Sequence, residues 1–164
     1  MNEQPEKAEL IESRSAFHAA LRGALEQAAT QGCREIWCVD RDFADWPLGE
    51  RDVVETLSRW AAAHRRLTLL AQHFDELPRR HVRWVQWRMH WAHVVTCKQV
   101  HEDDARDMPC LLLADGLVSV RLRSTEHYRG RVYRDPADWI RQRELVDMLD
   151  QRGHESFPVT TLGL

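Results

Sequence analysis

The sequence predicts one α/β domain, a mixed β-sheet flanked by helices. Three observations point there. Helical and β-prone runs alternate through residue 70, the pattern of a layered α/β unit. An Asp-Gly pair sits between two strongly β-prone runs, Cys110 to Ala114 and Leu117 to Leu122. A helix with a full start signal follows at Asp135-Pro136-Ala137-Asp138: a capping side chain, proline at the first position and an acid in the first turn.

Taken in order, residues 8–31 read as a helix, because Leu10, Phe17, Leu21, Leu25 and Ala28 recur at helical spacing and Gly32 supplies a stop. Ile36-Trp37-Cys38-Val39 is a short apolar run of the buried-strand kind. Residues 50–64 read as a second helix with Val53, Leu57, Trp60 and Ala61 on one face, and Leu67 to Leu70 as a second strand. Pro78 is expected to end a short helix begun near Asp75. Trp84, Trp87 and Trp91 fit helical spacing, and His93 to Val100 reads as a strand. The Asp115-Gly116 pair predicts a two-residue type I′ hairpin turn. Arg131 to Tyr133 is a last short strand, and the helix from Pro136 runs to Gly153.

The domain is therefore expected over 8–153, with a flexible N-terminus at 1–7 and a poorly ordered tail at 154–164. A chain of 164 residues at 43% hydrophobic content can bury about 70% of its unfolded surface, which excludes disorder as the main state. No apolar run approaches the length of a membrane span, so no membrane partner is expected. The polar start and four cysteines without a CxxC pair predict a cytoplasmic, disulfide-free protein. A net charge of −3 argues against nucleic acid as a partner. Seven tryptophans imply either an aromatic core or an exposed binding face.

From Met108 onward the chain resembles the phospholipase D superfamily, whose His-x-Lys-x4-Asp motif leads into a second strand, a serine, a polar residue and a closing helix. Here the motif's aspartate falls on Asp115, its lysine on Cys110 and its histidine on Met108. Ser124 stands one residue from the family's serine position, Glu126 near its polar residue, and the closing helix at 136–151. The resemblance implies a fold like one half of the phospholipase D fold. In that family the histidine takes up the phosphoryl group and the lysine steadies its charge. Met108 and Cys110 can do neither, since a thioether carries no transferable proton and a neutral thiol no positive charge. Asp115 is also what an Asp-Gly turn needs for its own sake. The resemblance thus implies a degenerate, non-catalytic module that binds a small anionic ligand or a protein. It also implies a homodimer with Met108, Cys110 and the hairpin near the twofold axis. No cofactor is expected.

Other constellations carry alternatives. Asp40 and Asp42 follow the first apolar strand, where α/β proteins place ligands. Arg121, Arg123, Ser124 and His127 form a polar group beyond the hairpin that suits an anion. An unconventional phosphodiesterase or nuclease would draw on His101, Lys98 and Asp115. A single-strand nucleic-acid binder would use Arg80, Arg83, Trp84, Trp87 and Arg88, where bases stack on indoles and phosphates meet guanidinium groups. The competing reading packs those indoles in the core. His90, His93, Cys97 and His101 would share one face of a continuous helix and could hold zinc there; on a strand they spread too widely for one ion.

Overall fold

The structure is a computed structural model and describes residues 9–61 and 64–158. The elements in chain order are β1 (Glu9–Ile11), α1 (Arg14–Gln31), β2 (Glu35–Val39), α2 (Arg51–Trp60), β3 (Arg66–Ala71), α3 (Leu77–Arg80) and α4 (Val82–His90). They continue with β4 (Val95–Gln99), α5 (Glu102–Ala105), β5 (Cys110–Ala114), β6 (Val118–Ser124), β7 (Arg129–Tyr133), α6 (Pro136–Arg152) and β8 (His154–Glu155).

The eight strands form one mixed sheet in the order β1-β7-β6-β5-β2-β3-β4-β8. β2, β3 and β4 run parallel because helices connect them, whereas every other neighbouring pair is antiparallel. Both faces of the central strands are covered. Ile36, Cys38, Leu67, Leu69, Cys97, Leu112 and Ala114 pack with Phe17, Leu21, Leu57 and Trp84 from α1, α2 and α4. Trp37, Val39, Leu70, Leu111 and Leu113 face the opposite way and meet Val146 and Leu149 of α6. Two covered faces explain why β2 and β5 read as unbroken apolar runs instead of alternating ones.

Helix boundaries follow cap chemistry. The Ser13 side chain accepts the Ala16 N–H at 3.1 Å, so α1 begins at Arg14 and not at residue 8. The residues before it form β1 against β7, and Leu10, expected on the helix face, is exposed on that edge. Gly32 ends α1 at φ 76, with its N–H donating to the Ala28 carbonyl. Asp135 caps α6 as predicted, accepting from the Ala137 N–H at 2.9 Å. Pro78 opens α3 where it was expected to end a helix, because the first turn needs no N–H from it. The second helix stops at Trp60, where the Ala61 N–H meets the Leu57 carbonyl.

Two further expectations are corrected. The hairpin turn is a three-residue loop, since Ala114 pairs with Val118. Gly116 alone has positive φ, at 77, and the Leu117 N–H donates to the Ala114 carbonyl at 3.0 Å. A type I′ turn needs positive φ at both central residues; glycine at the third position is the type II arrangement. Register decides this. Pairing Ala114 with Leu117 would slip β6 by one residue and turn Val118, Val120 and Leu122 away from the core they fill. The start of the expected tail also joins the sheet. His154 and Glu155 pair with Gln99 and Lys98, and the Ser156 N–H donates to the Cys97 carbonyl at 3.0 Å. Residues 1–7 and 159–164, for which disorder was expected, lie outside the described residues.

Candidate anion-binding cleft

Because β5 enters antiparallel to β2, its first residue lies at the carboxyl ends of β2, β3 and β4 and beside the end of β6. Two adjoining depressions of about 510 and 560 Å³ open there and share Met108, Pro109, Cys110 and Thr125. Arg121, Arg123, Asp107 and Tyr133 line one part; Asp40, Arg41, Gln72, Glu102 and Arg106 line the other. Met108 and Cys110, the motif positions, therefore form the middle of a cleft walled by four arginines.

Cys110 is buried, and that burial, reinforced by the Asp40 carboxyl, holds its thiol well above the ordinary cysteine range. It stays protonated and supplies neither a nucleophile nor a cation. Burial likewise raises Asp40, and the Phe43 N–H, donating to its carboxylate at 2.9 Å, partly offsets this. Asp42 instead accepts from the Ala44 N–H at 2.9 Å. Each carboxylate closes its own turn, so the pair does not converge on one point, and only Asp40 lines the cleft.

The loop carrying Asp40 is held from below by His81. Its Nδ1 accepts the Gly49 N–H at 3.1 Å, so its Nε2 carries the proton and donates to the Phe43 carbonyl at 2.7 Å. Phe43 sits at φ 60, a left-handed conformation that a bulky residue keeps only when its surroundings hold it. The opposite wall is tied in through Tyr128, whose hydroxyl donates to the Asp45 carboxylate, which also accepts from Arg14 Nε at 2.7 Å.

A β-bulge aims Arg123. Leu122 pairs with Gly130 and Ser124 with Arg129, which leaves Arg123 as the extra residue in β6. Arg121 and Arg123 both line the cleft. Ser124 and His127 do not; the serine hydroxyl accepts the His127 N–H at 3.3 Å within the following turn. Arg41, Arg106, Thr125 and Tyr133 belong to the cleft and were missed from the sequence. Arg41 alone had a local signal, as it directly follows Asp40 beyond a strand end.

The other constellations do not assemble. Asp115 sits at the far end of β5 from Met108, a strand of five residues or about 17 Å away. It pairs there with Arg143 at 2.8 Å, while Lys98 pairs with Asp150 at 2.6 Å two strands beyond β2. His101 caps α5, its Nδ1 accepting the Asp103 N–H. His90 and His93 are exposed and Cys97 is buried in the core, and among the described residues no three ligating side chains are grouped for a metal. Trp84 and Trp87 are buried, as is Arg88, which lies 4.9 Å over the Phe157 ring. Arg80 pairs with Glu76, and Arg83 donates to the Gly49 carbonyl. That stretch presents no indole face for a base to stack on. Five of the seven tryptophans fill the core, which accounts for their number.

Whole-chain charge hides a local excess. Between Val118 and Arg134 lie five arginines and one carboxylate, Glu126. Arg129 pairs with Glu12 and Arg134 with Glu9, whereas Arg121, Arg123 and Arg131 have no carboxylate partner among the described residues.

The mixed eight-stranded sheet flanked by helices is similar in fold to two solved structures. Nuc from Salmonella typhimurium, a phospholipase D family member, matches 82% of this chain and 90% of its own at 9% identity and a TM-score of 0.51. TrmBL2, an archaeal chromatin protein whose structure shows a novel mode of DNA binding, matches 95% of this chain at 13% identity and a TM-score of 0.64. The chain spans 56% of the length of TrmBL2. At these identities the likeness is one of fold. No protein-family model and no curated protein sequence matches the chain. Among the described residues, no helix is long and apolar enough to cross a membrane.

Proposed function

We propose that this domain is a non-catalytic module, related in fold to phospholipase D, that holds a phosphate-bearing anion in the cleft at the start of β5. One observation carries the reading. Met108 and a protonated, buried Cys110 stand at the centre of a cleft whose walls carry Arg121, Arg123, Arg41 and Arg106. Guanidinium groups bind phosphate through paired N–H donors, and binding needs no nucleophile. Among the residues lining the cleft there is no histidine to take up a phosphoryl group, which weighs against the phosphodiesterase reading. The fold shared with a DNA-binding chromatin protein and with a phospholipase D family member supports an anionic partner. Pairing of two chains across Met108 belongs to the same reading. The test of the non-catalytic claim is turnover of bis(p-nitrophenyl) phosphate. No release of p-nitrophenolate above buffer is expected; turnover abolished by Asp40→Asn would establish an enzyme instead.

A further inference from the structure

The cleft continues onto a second surface. Arg121 on β6 pairs in register with Arg131 on β7, so the two side chains stand directly opposite on one face of the sheet. It is the α6 face, because Arg121 also pairs with Leu111, which meets α6. Yet α6 packs over β2, β3 and β5, and Arg131 is exposed. Like charges directly opposite across an antiparallel pair repel, and nothing in the fold requires them here. Arg123, set out of register by the bulge, carries the same charge toward the cleft, and Tyr133 adds an aromatic ring on its rim.

We infer that this ribbon binds a single-stranded nucleic acid, with three successive phosphates on Arg123 and Arg121 in the cleft and on Arg131 beyond it. The inference rests on the anion-binding reading above and names its ligand class. A small anion would need the cleft alone, whereas Arg131, without a carboxylate partner among the described residues and in register with Arg121, carries the positive track beyond the cleft and matches a polyanion. The ribbon joins a basic track to an aromatic ring, the combination that holds single strands irrespective of sequence. Asp107 is the carboxylate facing the track on this side of the cleft.

The experiment is fluorescence anisotropy of a labelled twelve-residue oligo(dT) with the full chain across a potassium chloride series. The expected result is micromolar binding with a log–log salt slope near −2, since three phosphates at about −0.7 each are neutralised. Arg131→Thr should shallow that slope by about 0.7 while raising the melting temperature, so that lost binding cannot come from lost folding. Oligo(dT) binding untouched by Arg131→Thr would overturn the placement. Equal affinity for duplex DNA or heparin would overturn the assignment to single strands. Pyrophosphate binding without oligo(dT) binding would overturn this inference and leave the anion-binding reading standing. Binding of neither would overturn both.

Discussion

Arg143 on α6 reaches Asp115 of the hairpin turn at 2.8 Å while its guanidinium lies 4.6 Å over the Trp37 ring. One side chain thus ties the last helix, the hairpin and the central strand together, and the aspartate aligned with the family motif serves as its anchor. Arg143→Ala should cost about 1–2 kcal/mol, combining a half-exposed ion pair with a cation–π contact. Arg143→Lys should recover less than half, because an ammonium lacks the planar guanidinium that reaches Asp115 while stacking on Trp37. Urea denaturation checks this; an unchanged midpoint in the alanine variant would contradict it.

Gly130 on β7 sits tight against the backbone of β6. A Cβ there would lie 2.0 Å from the Arg121 carbonyl oxygen, which is backbone and cannot swing aside. Gly130→Ala should therefore destabilise the domain by more than about 2 kcal/mol and disturb the bulge that aims Arg123. Thermal unfolding measures the first effect. A melting temperature within a degree of the parent would refute it.

The fold was legible where local chemistry decides structure. The Ile36 to Val39 and Cys110 to Ala114 runs announce buried strands, and Asp135-Pro136 announces a helix, because each signal lies within a few residues. β1 and β8 were not legible. Their three and two residues have little strand preference of their own and are ordered by partners on β7 and β4, 121 and 57 residues away along the chain in the pairs Leu10–Arg131 and Lys98–Glu155. The turn register was also non-local, since the core under β6 chose it. In the cleft, Asp40 announces itself by following a strand and Arg121 and Arg123 by following the hairpin. Arg106, Thr125 and Tyr133 arrive there only because β5 runs against β2. The Arg and Trp stretch misled because residue type does not reveal exposure.

His81 makes stability depend on pH. Burial lowers its pKa, ahead of the Phe43 carbonyl, which pulls the other way, and Arg80 and His18 lower it further. The unfolded chain therefore takes up a proton near pH 6.5 that the folded chain refuses. Stability is full above that value and declines as pH falls through it toward the depressed folded pKa. Chemical denaturation at pH 7.5 and 5.5 should show the loss, and His81→Gln should flatten the difference. An equal difference in both proteins would remove His81 from the account.

Met108 is partly exposed at the middle of the cleft and offers an apolar contact to a second copy. Sedimentation equilibrium at micromolar protein should give about 39 kDa, twice the chain mass of 19.3 kDa, with Met108→Asp returning it to the monomer value. A mass near 19.3 kDa at every concentration would sink the pairing.

The central claim is that the cleft binds phosphate through its arginines, and calorimetric titration of pyrophosphate tests it most directly. The account predicts saturable binding by the parent protein and at least a tenfold weaker affinity for Arg121→Ala, since a charge-assisted guanidinium contact contributes roughly 1.5–3 kcal/mol. No detectable heat with the parent protein, or an affinity that Arg121→Ala leaves unchanged, would contradict it.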